Sequence, residues 1–209
     1  MVAAWMLVTG SPASASSCPN TEVQVTGMSQ TTMENSITCL INEERAAYGV
    51  PPVQPNASLR QAALSHSDEM VSQGYFEHTS PAGVTFVDRI AATGYTRGAR
   101  SWDVGENLVW GTGSLSTPQS LVTGWMNSPP HRENLLGTTF REIGIAAVVG
   151  TPESSTDVSG VTVSSEYGDR SFAKAKKKRA KRKAHKAGRH VFNRQRTGLY
   201  RGRSGRGNP

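Results

Sequence analysis

The first 173 residues of this 209-residue chain contain no lysine, and the last 36 contain no aspartate or glutamate. Fifteen of the 23 Lys and Arg residues fall in those last 36 positions, while the preceding part sets eight arginines against 16 acids. The formal charge of +7 is therefore a body of −8 joined to a tail of +15. A basic nucleic-acid-binding domain spanning the whole chain is excluded, because the only dense cationic field lies on a low-complexity terminal stretch. No apolar run approaches the roughly 20 residues that a membrane-spanning helix needs. Catalytic signatures are missing as well: there is no Gly-x-Ser-x-Gly elbow, no phosphate-binding glycine loop and no His-Glu-x-x-His.

What remains is long enough to fold as one domain. A body of roughly 150 residues buries about 70% of its unfolded surface, so no array of staples or metals is required. Residues Val2 to Val8 form a short apolar run, and Ala13-Ser14-Ala15 has the form of a signal-peptidase site, although no basic residue precedes the run. The expectation is a signal peptide over 1–15, with a disordered or packed arm as the alternative. Cys18 and Cys39 are the only cysteines. In a secreted chain they are expected to pair and tether an arm over 16–31; in a cytosolic chain they would be two buried thiols.

Apolar residues at helical spacing predict a helix over Thr32–Tyr48, stopped by Gly49, Pro51 and Pro52. A second helix is predicted over Ser58–Gln73 with Gly74 at its C-cap and His66 on the inward face, and a third over Thr85–Thr93. Gly105-Glu106-Asn107 reads as a turn after a polar loop. Thr117-Pro118 starts a helix that Pro129 and Pro130 end, and His131 opens a short segment through Leu136. Alternation at Ile143, Ile145, Ala147 and Val149 predicts a strand, and Val161–Tyr167 a second, antiparallel to it. The fold class is α+β, helices about a small antiparallel sheet, over 32–172. The Lys/Arg/Ala and Arg/Gly composition of 173–209 predicts a disordered basic tail.

The body has three histidines, His66, His78 and His131. His78 and His131 lie beside turn formers, where a side chain can face a cleft. Together with Glu106 they would make a divalent-metal site, with zinc the first choice by ligand type and water at the open position.

Several ordered blocks make the chain resemble the CAP superfamily, the cysteine-rich secretory, antigen 5 and pathogenesis-related proteins, in a short bacterial form. They are Leu40-Ile41-Asn42-Glu43-Glu44-Arg45, the Leu59–Met70 helix, Phe76-Glu77-His78-Thr79-Ser80-Pro81, Gly105-Glu106-Asn107, Trp125-x-x-Ser128-Pro129-x-His131-Arg132-x-Asn134-Leu135-Leu136, Phe140-x-x-Ile143-Gly144 and Glu166-Tyr167-Gly168. The resemblance implies a three-layer α-β-α sandwich with a surface cleft. In larger members that cleft carries two histidines and two glutamates able to hold a divalent cation. His78, Glu106 and His131 match three of the four, and Ser128 stands where the second glutamate is expected. By the same resemblance His66 is read as a packing residue, Asn107 and Asn134 as groups that satisfy loop backbone, Ser80 as lining the cleft mouth and Trp125 as core.

Such a resemblance does not fix an activity. The leading expectation is a secreted, monomeric, non-enzymatic binding module. Its cleft would take a divalent cation or a small or lipid ligand, and its tail an anionic cell-surface polymer, with nucleic acid bound only non-specifically. The alternative is a metal-assisted hydrolase of peptide or cell-wall material, in which a water is activated between His78 and His131 and Glu106 acts as base.

Overall fold

The computed structural model describes residues 16–173; the expected signal peptide and the basic stretch from residue 174 lie outside the described residues. Five helices, α1 (Gln30–Ala47), α2 (Ala57–Gln73), α3 (Phe86–Ala92), α4 (Pro118–Asn127) and α5 (Pro129–Leu135), alternate with four strands. These are β1 (Gln54–Pro55), β2 (Ser101–Thr112), β3 (Glu142–Val149) and β4 (Gly160–Ser171), in the sheet order β1-β3-β4-β2. β2, β3 and β4 are antiparallel neighbours, and the two-residue β1 adds a parallel bridge to β3 at the edge.

Local chemistry sets the helix ends. Ser29 accepts from the Thr32 amide at the start of α1, Asn56 from Ser58 and Leu59 at α2, and Thr117 from Ser120 at α4. Thr85 and Asp88 close a reciprocal capping box on α3. Gly74 ends α2 at φ 70°, the left-handed conformation that glycine adopts without a Cβ penalty. The paired prolines act differently from the expectation. Instead of only ending α4, Pro129 opens α5, where its missing N–H removes a donor that would have no helical partner.

The sheet is the middle of three layers. α2 lies across β3 and β4 with α3 beside it, and α1, α4 and α5 cover the other face. That second face holds the larger core, with Met33, Ile37, Ile41, Leu121, Trp125, Ile145, Val163 and Tyr167 all buried. The α2 side has a small cluster of Leu59, Ala62, Ile90 and Tyr95. β4 explains the asymmetry, because every residue from Gly160 to Gly168 is buried, and alternate positions put Thr162, Ser164 and Glu166 opposite Val161, Val163 and Tyr167. Ser67 of α2 answers the polar row by donating to Ser164 Oγ at 2.8 Å. α2 can approach closely because β3 carries Gly144, where a Cβ would stand 2.0 Å from the Arg60 nitrogen.

The predicted turn at Gly105-Glu106-Asn107 is instead the middle of β2. Its glycines serve close packing: a Cβ at Gly105 would sit 3.1 Å from Asn134 Oδ1 and Phe140 Cζ, and one at Gly111 would sit 2.4 Å from the Leu115 carbonyl. β2 is an edge strand, and side chains cover its outer carbonyls. Trp125 Nε1 donates to Leu108 O at 3.0 Å and Asn134 Nδ2 to Glu106 O at 3.1 Å. Trp125 is fully buried, as expected of a core residue.

Cys18 and Cys39 are disulfide-bonded and pin the arm before α1. Glu43 accepts from Ser16 Oγ, Ser17 N and Ser17 Oγ, and Gln119 N donates to Thr21 O, so the arm also touches α4. Replacing both cysteines by serine is expected to lower stability by about 3 kcal/mol from the loop-closure entropy regained on unfolding, read as a lower urea midpoint with a slope equal to or steeper than that of the native chain, because the uncrosslinked unfolded chain exposes more surface.

Candidate functional site

The polar side of the sheet puts a carboxylate where water cannot reach it. Glu106, on β2, has a side chain with no exposed area, and its two oxygens are taken by different partners. His78 Nδ1 donates to Oε1 at 2.8 Å, and Arg89 Nη2 donates to Oε2 at 2.6 Å. His78 comes from the loop between α2 and α3 and keeps a half-exposed ring, whereas Arg89 comes from α3 and is buried. His66 Nε2 stands 3.9 Å from Oε2.

The same cluster fixes the loop that carries His78. His66 Nε2 bonds the Glu77 carbonyl at 2.9 Å and its Nδ1 meets the Tyr75 hydroxyl at 3.3 Å. With Nε2 facing a carbonyl, the proton belongs there, and Nδ1 accepts from tyrosine. Arg89 donates to the His78 carbonyl and the Val84 carbonyl, both at 3.0 Å. Ser80, expected at the cleft mouth, is buried instead, and its Oγ accepts from Val84 N to close the same loop.

His131 lies on α5, half-buried, and its backbone is tied to β2 where Asn107 Nδ2 donates to its carbonyl at 2.8 Å. Asn134 bridges Glu106 O and Asn107 Oδ1. Both asparagines thus satisfy backbone groups between α5 and the sheet edge. Ser128 is the residue between α4 and α5. The second acid beside Glu106 comes from elsewhere: Glu166 of β4 lies directly opposite it in the ladder, buried, with neither carboxyl oxygen hydrogen-bonded by geometry.

These contacts separate the protonation states. Burial pushes the Glu166 carboxyl well up, and the neighbouring Glu106 charge adds to the push, both favouring its protonated form. Burial works against the Glu106 anion too, but His78, the Glu166 carboxyl, Arg89 and His66 outweigh it and hold its pKa below the ordinary range. The hydrogen bond to Glu106 raises His78 above its ordinary value, while burial lowers His131, helped by the charge of His78, and burial also lowers His66. At the base of the site one guanidinium faces the Glu106 carboxylate, and burial pushes both the Glu166 carboxyl and the His66 imidazole toward their uncharged forms.

This arrangement bears on the expected cation. Among the described residues, the one group of three potential ligand side chains whose ligand atoms all lie within 4.8 Å is Cys18, Cys39 and Glu43, and its sulfurs are spent in the disulfide. His78, Glu106 and His131 are spread more widely. Glu106, with both oxygens committed, does not fit the role of a direct metal ligand; it orients His78.

The family model for CAP, the Cysteine-rich secretory protein family, matches residues 39–167. The chain belongs to this family. Among curated relatives, the CAP domain is 33% identical over 115 residues to the uncharacterized protein YkwD of Bacillus subtilis, a match covering 55% of this chain and 42% of that protein. The chain thus aligns with less than half of that relative's length. Solved structures share the fold. An outer surface protein of Borrelia burgdorferi superposes with a TM-score of 0.53 at 22% identity, covering 64% of this chain and 90% of that one. An extracellular protein containing a SCP domain from Bacillus anthracis does so with a TM-score of 0.50 at 24% identity, covering 67% and 43%.

The sequence singles out His78, Glu106 and His131 but gives no role to Arg89 or Glu166. Arg89 is a lone arginine on the short Phe86–Ala92 helix, and Glu166, although it stands in the Glu166-Tyr167-Gly168 block, is a glutamate among Val, Thr and Ser in a strand with nothing to tie it to Glu106.

The charges of this CAP domain have consequences for its stability. Because the folded pKa of His78 exceeds its ordinary 6.5, its contribution is full below that value and is lost as pH rises through the folded pKa. His78→Gln should therefore flatten the alkaline side of a urea-midpoint profile from pH 5 to 9, where the native chain loses stability. Glu106→Gln leaves a buried guanidinium without its anion and is expected to cost roughly 3–5 kcal/mol in equilibrium unfolding.

Proposed function

We propose that the chain is an extracellular, non-catalytic binding module. His78 and His131 form the ligand-reading rim above a rigid, charge-compensated base, and the stretch from residue 173 captures an anionic cell-surface polymer. The observation that carries the reading is the state of Glu106. A general base must present a free carboxylate to a water or substrate proton, and here both oxygens are bonded out of contact with solvent. What faces outward is the half-exposed imidazole of His78, whose Nδ1 is already engaged, leaving Nε2 for a ligand. His131, whose pKa burial lowers while that of His78 is raised by its bond to Glu106, supplies a second imidazole shifted in the opposite direction. Such a pair suits a small polar ligand that offers both an acceptor and a donor.

An extracellular setting is supported by the disulfide and by the extracellular character of the Bacillus anthracis relative. No helix among the described residues is long and apolar enough to cross a membrane. The tail's role rests on its +15 charge against a body of −8, a division that confines polyanion attraction to one part of the chain.

Incubation of metal-free and zinc-supplemented protein with peptide and peptidoglycan substrates is expected to give no turnover. Turnover that His131→Ala abolishes would replace this reading with the hydrolase. For the tail, full-length protein should bind an anionic cell-wall polymer with steep salt dependence, and deletion of 173–209 should abolish retention. A deleted chain that still binds refutes the adhesive role.

A further inference from the structure

The resemblance to larger CAP proteins puts a divalent cation among the site's acids and imidazoles, yet the acid of this chain is already neutralised from within. We infer that the guanidinium of Arg89 is the resident cation of this site, a positioning residue that takes the place of the ion and holds Glu106 and the His78 loop together.

Four observations carry this. The Arg89–Glu106 contact is 2.6 Å long between side chains that are 6% and 0% exposed, so a full unit of positive charge stands against the carboxylate with almost no water between. The head group cannot swing aside to admit an ion, because its other contacts are the carbonyls of Val84 and His78, and moving it would release the loop that presents His78. The backbone that carries Arg89 is itself fixed: the capping box of Thr85 and Asp88 sets the start of α3, and the next residue, Ile90, is fully buried against Leu59, Ala62 and Tyr95. Finally, Glu166 comes with no counter-ion of its own, and Arg89 Nε has no hydrogen-bond partner, so the guanidinium serves one carboxylate, not two.

Charge counting makes the exclusion concrete. A divalent ion entering beside Glu106 would add two positive charges to a carboxylate that a buried guanidinium already faces at 2.6 Å, and its desolvation there would have to be repaid by a carboxylate that is already paired. A planar guanidinium does what a spherical ion cannot: it bonds a carboxylate and two carbonyls at once in fixed directions. The site is thus permanently complete and independent of ion supply. Removing Arg89 would uncover two facing carboxyls, Glu106 and Glu166, beside His66 and His78, a set of groups of the type that holds a divalent ion.

The test is zinc content and thermal unfolding of the full chain, with and without EDTA or zinc chloride, for the native protein, Arg89→Met and Arg89→Lys. It needs no ligand and so does not depend on the binding-module reading. Native protein purified without chelator should hold no stoichiometric zinc, and neither EDTA nor zinc should move its Tm. Arg89→Met should lose roughly 10 °C, the consequence of breaking a buried ion pair, and zinc should restore part of the loss. Arg89→Lys, with a point charge but no fork, should fall between the two. Native protein that carries one equivalent of zinc whose removal lowers Tm overturns the inference, as does zinc binding tighter than micromolar that His78→Ala abolishes. An Arg89→Met chain with the native Tm, or one whose lost stability zinc does not restore, counts against it equally. If Arg89→Met does not fold, the native measurements and the lysine variant still decide.

Discussion

The burial of one carboxylate organises this molecule. Glu106 sits in the middle of β2 on the α2 side of the sheet, out of contact with water, and an isolated anion there would be untenable. Its compensation must come from elements that do not neighbour it in sequence: Arg89 from α3, His78 from the loop before it and His66 from α2. Each partner is then used twice. Arg89 and His66 also bind the consecutive carbonyls of His78 and Glu77, so the charges that make Glu106 tolerable fix the backbone of the ring facing solvent. The exposed histidine is rigid because the hidden glutamate has to be paired.

The polar face of β4 is the second half of the same constraint. A strand buried on both sides normally reads as a continuous apolar run. β4 departs from that with Thr162, Ser164 and Glu166 along one face, and each is accommodated separately: Thr162 donates to Gly150 O, Ser164 meets Ser67, and burial pushes Glu166 toward its uncharged form. The apolar cluster on this side stays small for that reason, and most hydrophobic stabilisation comes from the face toward α1 and α4. Arg45 shows a third solution. Fully buried and without a carboxylate, it spreads its guanidinium over the carbonyls of Pro51, Leu135, Gly137 and Phe140, joining α1, the end of α5 and the approach to β3.

The helices are legible in the sequence because their signals are local. Asn56, Gly74, Thr85 and Pro118 act within a turn of their own positions, and the structure puts the ends within two residues of the expected ones for α1 to α3. β2 is not legible. Gly105, Glu106 and Asn107 look like turn formers one at a time, and each is in the strand for a distant reason: the glycine makes room for Asn134 and Phe140, the glutamate meets Arg89, and the asparagine holds His131 O. The site divides in the same way. His78 and Glu106 stand in recognisable blocks and do touch, whereas Arg89 stands in none, and Glu166, though its block is recognisable, acquires a part in the site only when β4 is laid against β2. Ser128 reads as a missing acid, and no local pattern could reveal that a carboxyl arrives from the strand opposite.

The internal pairing also decides what the body presents to its surroundings. Glu34 with Arg60, Glu106 with Arg89 and Glu142 with Arg170 cancel in place, Glu166 is fully buried in the sheet, and Arg45 is enclosed by carbonyls. Twelve acids and four arginines of the body lie outside these arrangements, so its outer charge remains −8 even after every buried group is removed from the count. A surface of that sign repels polyanions beyond the range of a single contact and attracts small cations without needing a site for them. The proposed attachment to an anionic polymer would therefore have to be carried by the residues beyond 173 and would weaken as salt screens them. On the proposed reading, recognition at His78 and His131 would involve short-range donors and acceptors, and salt should disturb it far less.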